Sequence, residues 1–207
     1  MNKIKLFYFI VTLVLITSCS STPPRNQDNI CKIFAQEPSW FNDAKKSEKI
    51  WGTPISTLMA FVKQESSYRK NAKPPIRWVA FIPLGRPTSA KGYAQALDPV
   101  WKEYKAERGK LLKSRSDMRD ALDFIGWYNY KSHKQLGIRL NDPEKLYLAY
   151  HEGRGGFSKG SYTKKPKLRK IAKKVARTAF RYKAQLTECR RLYECYGFHK
   201  FWPFCRK

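Results

Sequence analysis

The sequence predicts a mainly α-helical protein with one short loop or hairpin insertion. Three dipeptides place a capping side chain before a proline, which is typical of helix starts: Thr53-Pro54, Asp98-Pro99 and Asp142-Pro143. Apolar residues after these starts recur at spacings of three and four, the period of a helix with one face in a core. Residues 73–87, KPPIRWVAFIPLGRP, lack this pattern, and their four prolines and short apolar run predict a loop or short hairpin.

The N-terminus resembles an export signal. Lys3 and Lys5 precede an apolar run over residues 6–16, which is too short to span a bilayer because a spanning helix needs about 20 residues. The run ends in Ile16-Thr17-Ser18-Cys19, which resembles the lipobox of bacterial lipoproteins, in which the cysteine is acylated after cleavage before it. Residues 1–18 are therefore predicted to be a lipoprotein signal peptide. The alternative is an ordinary signal peptide followed by an unrelated cysteine.

Three segments follow the predicted signal peptide. Residues 19–34 are predicted to be the lipidated Cys19 and a tether, because the stretch from Ser20 to Asn29 is polar and contains prolines. Residues 35–188 form the folded domain, and residues 189–207 form a tail rich in cysteine and aromatic residues that packs onto it. A chain of 207 residues is long enough for one domain with a core but short for two.

The charge balance indicates an anionic partner. The chain has 42 Lys and Arg residues against 16 Asp and Glu, a formal net charge of +26. A chain with this charge is expected to bind nucleic acid, an anionic membrane surface or an acidic polymer. Export argues against nucleic acid, so the polyanions of the cell envelope, peptidoglycan and lipid headgroups, are the expected partners. The sequence does not identify any protein partner.

Four cysteines remain after Cys19, namely Cys31, Cys189, Cys195 and Cys205. An even number in an oxidising compartment favours two disulfides over a zinc site, whose paired Cys-x-x-Cys spacing is absent. Three connectivities are possible. We expect Cys195–Cys205, which closes a compact loop, and Cys31–Cys189, which joins the N-terminal segment to the last helix.

The predicted helices follow one another along the domain. In chain order they begin at Thr53-Pro54, Asp98-Pro99, Asp117, Asp142-Pro143 and Lys167. Gly137 and Gly153 are expected to end the third and fourth of them. The last extends to Leu186 or slightly beyond and carries many lysines and arginines on its polar side. It is either a core helix with a solvated charged face or a basic strip for an anionic polymer or membrane.

One glutamate lies on an apolar helix face. Ile55, Leu58, Phe61, Val62 and Glu65 share one side of the helix that begins at Thr53-Pro54. Such a carboxylate either pairs with a cation or reaches solvent at the helix end, or it is buried with a raised pKa. A raised pKa leaves a protonated acid near neutral pH, which is what general-acid cleavage of an acetal requires.

Three motifs in chain order accompany this glutamate. They are Gln64-Glu65-Ser66-Ser67-Tyr68, Lys91-Gly92-Tyr93-Ala94-Gln95 and Ala149-Tyr150-His151-Glu152-Gly153. The arrangement resembles the lytic transglycosylase domain of the soluble type, which is related in fold to goose-type lysozyme and whose signatures read E-S-S, G-x-x-Q and A-Y-N-x-G. The resemblance covers about residues 51–191. It implies a lysozyme-like helical domain. The segment between Glu65 and Gly92 is longer than the family's, and because residues 73–87 follow the Glu65 helix directly, we expect this insertion beside the cleft, as a wall or a lid.

The resemblance also implies roles for individual residues. Glu65 would be the sole catalytic acid and base, with Ser66 supporting its carboxylate. In the second motif Gly92 would allow close approach of the backbone, and Gln95 would offer both an amide donor and an acceptor to a sugar. Tyr150 would place its hydroxyl near the reacting bond; the alternative for Tyr150 is a core aromatic. His151 replaces the family's asparagine, so any hydrogen bond of that amide must be remade by the imidazole.

A second catalytic carboxylate is not apparent. Asp98, Glu103, Glu144 and Glu152 are each more easily interpreted as caps, exposed helix residues or ion-pair partners. Glycosidases that invert or retain configuration need a second carboxylate as base or nucleophile. The family resemblance implies a different reaction, in which the muramic C6 hydroxyl attacks its own anomeric carbon and leaves a 1,6-anhydro end.

These observations predict a lipid-anchored enzyme that cleaves the MurNAc–GlcNAc bond of peptidoglycan without a metal or cofactor. A lysozyme-type hydrolase using the same glutamate, and a non-catalytic peptidoglycan-binding lipoprotein, are the alternatives. Ser20 follows the predicted lipidated cysteine where an aspartate would be associated with retention in the inner membrane. We therefore expect the anchor in the periplasmic face of the outer membrane, if the source is a bacterium with two membranes.

Overall fold

A computed structural model describes residues 22–109 and 112–194 of the chain. The predictions for the signal peptide, for Cys19 and for a Cys195–Cys205 bridge lie outside these residues. Among the described residues no helix is long and apolar enough to cross a membrane.

Seven α-helices and one small hairpin make up the regular structure of the described residues, which confirms the mainly α prediction. The helices are α1 (Ile30–Gln36), α2 (Pro38–Trp51), α3 (Ile55–Ser66), α4 (Asp98–Arg108), α5 (Met118–Leu136), α6 (Pro143–Ser158) and α7 (Pro166–Glu194). Strands β1 (Trp78–Val79) and β2 (Ile82–Pro83) pair antiparallel, and a 3₁₀ turn (Ser161–Lys164) joins α6 to α7.

Helix α3 runs through the middle of the domain. No charged residue occurs from Ile55 to Val62, and every side chain of this stretch is buried, including those of Ser56 and Thr57. A helix that is apolar on all sides is stable only when other elements surround it. It packs most extensively against α7, while α2 packs against α5. The first charged side chains of α3, beginning at Lys63, therefore emerge at its C-terminal end.

The start of α3 differs from the sequence prediction. Pro54 rather than Thr53 is the capping position, and the buried hydroxyl of Thr53 has no hydrogen-bond partner among the described residues. Instead, the N–H of Ile55 donates to Oε1 of Glu48 at 2.9 Å. Glu48 lies on α2, so a side chain from another helix supplies the cap, and the local sequence alone does not contain that information.

Two of the three later N-terminal caps agree with the prediction. The third does not, because Leu97 and not Asp98 is the capping position of α4, without a side-chain hydrogen bond. Asp117 and Asp142 each accept a hydrogen bond from a main-chain N–H three residues on, at 3.1 Å, and Gly137 ends α5 with φ +68°. Gly153 stops the first helical stretch of α6, as the sequence predicted. It introduces a kink with φ +74° and ψ +156°, after which helical structure continues to Ser158.

The predicted tether and tail are both shorter than expected. Residues 30–34, placed in the tether, belong to α1, where Ile30, Ile33 and Phe34 are fully buried. Residues 189–194, placed in the tail, continue α7, and Cys189 and Tyr193 are buried. Apolar side chains spaced by three and four along both segments account for the difference, since they complete the core.

A disulfide joins these two segments. Cys31 of α1 and Cys189 of α7 form a bond with a Cα–Cα distance of 6.0 Å across a sequence separation of 158 residues. This is the connectivity expected from the sequence for this pair. A cross-link that closes so long a loop stabilises a fold by about 2–5 kcal/mol, mainly by restricting the unfolded chain.

The insertion between α3 and α4 forms a short hairpin, as the prolines and apolar run predicted. Trp78 pairs with Pro83 and Val79 with Ile82, around a two-residue turn in which Ala80 has φ +51°. The side chains of Trp78 and Phe81 are 59% and 95% exposed. The hairpin therefore projects into solvent, and its aromatic side chains do not cover a cleft.

Candidate active site

Glu65 occupies the last turn of α3, where the buried helix reaches the surface. Its side chain is partly accessible to solvent, yet protein atoms surround it as densely as in the interior. Glu65 is therefore packed among protein atoms and still reaches solvent. The rings of Tyr147 and Tyr150 each pack edge-on against Phe61, one turn earlier on α3, with centroids 5.3 Å apart.

Burial raises the pKa of the Glu65 carboxyl to about 7, and an interaction with the Tyr147 hydroxyl partly opposes that rise. No cation contributes to the pKa of Glu65 among the described residues, so the carboxyl is not one half of an ion pair. The structure therefore favours the second interpretation of this glutamate, a carboxyl set among protein atoms with a raised pKa. A carboxyl with a pKa near 7 can both donate and accept a proton at neutral pH.

Tyr147 is the residue of the site that sequence reasoning did not identify. It lies on α6, is 3% exposed, and its pKa is raised by burial and then by the charge of Glu65. Its position three residues before Tyr150 puts both rings on one face of α6. That spacing was the available signal, but Tyr147 lies outside the three motifs.

Replacing Tyr147 by phenylalanine is expected to raise the pKa of Glu65 above its present value of about 7. The hydroxyl favours the charged carboxylate, so its removal favours the protonated acid, while the ring and its packing on Phe61 are retained. The measurement is a pH titration of the Glu65 carboxyl carbon by NMR. Tyr130→Phe, at an exposed position of α5, is the control that leaves the titration unchanged. A titration of Tyr147→Phe that coincides with the unmodified protein would contradict the interaction.

Ser66 supports the helix end and does not support the carboxylate as the sequence suggested. Its buried hydroxyl donates to the main-chain carbonyl of Val62 at 3.1 Å. The chain then turns sharply, with φ of +50° at Ser67 and +59° at Tyr68. The Tyr68 hydroxyl is buried within hydrogen-bonding distance of the carbonyl of Met59 and the hydroxyl of Tyr182. These contacts stabilise the unfavourable backbone conformation and orient the end of α3.

Gly92 lies where the second motif passes close to another segment. Its φ is +78°, and a Cβ at this position would lie 1.9 Å from the carbonyl oxygen of Arg115. Its N–H donates to the carbonyl of Ala72, and the N–H of Tyr93 donates to that of Arg115. The expectation that glycine permits close approach of the backbone thus has a specific cause.

Gln95 presents fewer hydrogen-bonding groups to a ligand than the sequence suggested. Its Nε2 donates to the carbonyls of Ala72 at 2.9 Å and Gly92 at 2.8 Å, which uses both amide protons. Only the Oε1 acceptor is left for a sugar group. The amide therefore holds the second motif in shape, and its donor function is directed into the protein.

Tyr150 ties the third motif to the second. Its hydroxyl donates to the carbonyl of Ala94 at 2.6 Å, and its ring packs against Phe61 and Tyr128. Burial and then the charge of Glu65 raise the pKa of Tyr150. Tyr150 is thus both a packed aromatic and a neighbour of the carboxyl, although its proton is directed at the backbone and not at an open site.

His151 lies on the outer side of α6. Its Nδ1 is 3.3 Å from Oε1 of Glu152, and its side chain is about half exposed. Glu152 is itself held by Ser161 and Lys165, interactions that lower its pKa to about 2. The imidazole is therefore directed toward the Glu152 carboxylate, and His151 does not contribute to the pKa of Glu65.

The other acidic candidates are engaged as the sequence predicted. Asp98 pairs with Arg115 at 2.7 Å, and Glu103 pairs with Lys131 at 2.8 Å. Glu144 lies in the first turn of α6, where a negative charge suits the helix dipole. Among the described residues no second carboxyl group contributes to the pKa of Glu65.

Two cavities of about 510 Å³ each lie elsewhere on the molecule. One is lined by the start of α3 and by α7, and the other by residues of α2 and α5. Glu65 lines neither of them. The acidic groups present there are engaged in ion pairs, except Asp117, which caps α5. The perturbed carboxyl, and not cavity size, therefore identifies the candidate site. No group of three or more His, Cys, Asp or Glu residues suited to a metal ion occurs in the described part of the chain.

Comparison with known proteins gave one match. The family model described as the transglycosylase SLT domain matches residues 7–189, which include all three motifs. No significant match was found among curated proteins or among solved structures.

Proposed function

Because the chain belongs to the transglycosylase SLT domain family, whose members are lytic transglycosylases that act on peptidoglycan, we propose a specific reaction for it. Glu65 alone acts as acid and base, the MurNAc–GlcNAc β-1,4 bond is cleaved, and the product ends in 1,6-anhydro-MurNAc. The observation that carries the proposal is the pKa of about 7 at Glu65, in a setting built by all three motifs.

In the first step the protonated carboxyl of Glu65 donates its proton to the glycosidic oxygen. The C1–O4 bond then breaks, GlcNAc departs as an alcohol, and positive charge develops at C1 of MurNAc with assistance from the N-acetyl oxygen. The raised pKa supports this step because a substantial fraction of the acid, about half at pH 7, is still protonated.

In the second step the Glu65 carboxylate removes the proton of the C6 hydroxyl while that oxygen bonds to C1. The acid is regenerated, and no water is consumed. An intramolecular hydroxyl in place gains the equivalent of about 7 kcal/mol or more over a reactant from bulk solvent. The aromatic surroundings of Glu65 and the lack of a second carboxyl influencing its pKa favour this reaction over the hydrolase alternative.

We assign different tasks to the other motif residues. Gln95 offers its Oε1 as an acceptor for a sugar hydroxyl or amide, since its protons are used internally. Ser66, Gly92 and Tyr150 shape the site through main-chain contacts. We assign His151 no task in proton transfer, because its imidazole is directed at Glu152.

The proposal includes a lipid anchor at Cys19, added after removal of residues 1–18, which holds the enzyme at the periplasmic face of the outer membrane. Its support is the N-terminal sequence. Labelled palmitate should enter the wild-type protein and not Cys19→Ser. Labelling of both, or of neither, would exclude the anchor at this position.

Incubation of the purified protein with peptidoglycan sacculi is expected to release soluble muropeptides over time. A non-catalytic binding protein would sediment with the sacculi without releasing anything, which makes binding and release two separate readouts. Heat-unfolded protein is the control for contaminating activity. Binding without release would reject the enzymatic proposal and favour the binding-module alternative.

A further inference from the structure

The hairpin of residues 76–84 concentrates exposed apolar side chains. Of the twelve large apolar side chains that are exposed in the described residues, six lie here: Ile76, Trp78, Val79, Phe81, Ile82 and Leu84. Soluble surfaces seldom expose apolar groups in such density unless the surface binds something. The reaction proposed above does not use this hairpin.

Both faces of the hairpin are apolar. Adjacent residues of a strand point to opposite faces, and Trp78 and Val79 are 59% and 58% exposed. Cross-strand partners share a face, so Pro83 lies beside Trp78 and Ile82 beside Val79. A protein groove would cover one face and leave the other in water. Sugar stacking would use the ring of Trp78 but would gain nothing from the aliphatic face. Insertion into an apolar phase removes the apolar side chains of both faces from water.

The tip and the backbone also suit immersion. Phe81 stands at the turn and is 95% exposed. Beyond the strand pairs, the N–H of Arg77 donates to the carbonyl of Gly85 and the N–H of Leu84 to that of Arg77, both at 2.8 Å. Main-chain groups paired within the hairpin do not need water, which lowers the cost of entering a membrane interface.

The charges around the hairpin select the kind of membrane. Lys73, Arg77 and Arg86 flank the apolar tip, and no Asp or Glu occurs between Glu65 and Asp98. Exposed tryptophan with flanking cations is typical of segments at the interface of anionic bilayers, where each cation near the surface adds attraction. We propose that the hairpin docks on an anionic phospholipid surface, with Phe81 and Trp78 inserted among the headgroups.

The test is hydrogen–deuterium exchange of the full chain with vesicles of phosphatidylglycerol and phosphatidylethanolamine, with phosphatidylcholine vesicles, and without lipid. Any lipid anchor or uncleaved signal tethers the protein equally to both vesicle types, so the comparison isolates the hairpin. We expect exchange in residues 77–85 to slow by about fivefold or more with the anionic vesicles only. Equal exchange in all three samples, or equal protection by both vesicle types, would overturn the proposal.

A pair of double variants separates the hairpin from general surface hydrophobicity. Trp78→Ser with Phe81→Ser should lose the lipid-dependent protection, each protein being compared with itself without vesicles. Leu112→Ser with Phe180→Ser removes apolar groups that are 99% and 58% exposed elsewhere, and should retain it. Protection by purified glycan strands but not by vesicles would assign the hairpin to the substrate and reject membrane docking. None of these readouts requires cleavage activity, so they are independent of the proposed reaction.

Discussion

Glu65→Gln is expected to abolish cleavage of peptidoglycan, with a loss of about 10³-fold or more, because one carboxyl performs both proton transfers. Glutamine preserves the shape of the side chain but neither donates an acidic proton nor accepts one. The measurement is the initial rate of muropeptide release. Glu144→Gln, in the first turn of α6, is the matched control and should keep the wild-type rate. Turnover by a folded Glu65→Gln protein near that of wild type would reject the assignment.

The same variant is expected to be more stable than the wild type at pH 8 and equally stable at pH 4. The pKa of Glu65 rises from an ordinary value of 4.5 to about 7 on folding, so the folded protein holds this proton more tightly than the unfolded chain. Wild-type stability therefore falls as the pH rises between those two values. Glutamine carries no charge to bury. The gain at pH 8 should be about 1–3 kcal/mol after allowance for the partial exposure of Glu65, measured by denaturant unfolding. A loss of stability at pH 8 would show that the carboxylate is paired and not isolated.

Gly92→Ala is expected to have the largest effect among substitutions outside the carboxyl. The added Cβ would lie 1.9 Å from the carbonyl oxygen of Arg115, a backbone atom that cannot rotate away. The second motif must then shift, which breaks the hydrogen bond between Tyr93 and Arg115 and displaces Gln95. We expect a loss of about 2 kcal/mol or more in the free energy of unfolding, and a fall in activity that exceeds the loss of folded protein.

Gly85→Ala is the matched control for this substitution. Gly85 has φ +82°, close to the +78° of Gly92, but a Cβ there would meet nothing within 4 Å. In both variants an alanine must adopt a left-handed backbone conformation, which costs about 1 kcal/mol. Only Gly92→Ala adds the steric clash with the carbonyl oxygen of Arg115. Equal destabilisation of the two proteins would show that the segment near Arg115 yields easily and that Gly92 is replaceable.

The elements that the sequence predicted well are those whose determinants are local. Asp117 and Asp142 cap the helices that follow them, and Gly137 ends α5, because each acts on residues within one turn. The prolines around the hairpin likewise exclude a helix without any help from distant residues. Glu65 was found because a carboxyl interrupts an apolar period within a single helix.

The features that escaped prediction depend on contacts between distant segments. Glu48 caps α3 from α2. The carbonyl of Ala72, in the loop after α3, accepts a hydrogen bond from the amide of Gln95. Tyr147 reaches Glu65 from α6, across more than eighty residues of sequence. In each case the sequence shows which residue is present, but the tertiary packing decides which group that residue contacts. The kink at Gly153 belongs with these, since glycine permits an interruption without deciding whether the helix resumes.

The central claim is that the C6 hydroxyl of the substrate, and not water, attacks C1. Digestion of purified glycan strands in water enriched in heavy oxygen, followed by mass spectrometry of the new MurNAc ends, tests it most directly. A lytic transglycosylase leaves ends that are one water lighter than reducing MurNAc and carry no heavy oxygen. Any background labelling is measured in a parallel sample with boiled protein and subtracted. Reducing ends labelled with heavy oxygen in proportion to the extent of digestion would contradict the account, and a carboxyl that activates water would then have to act beside Glu65.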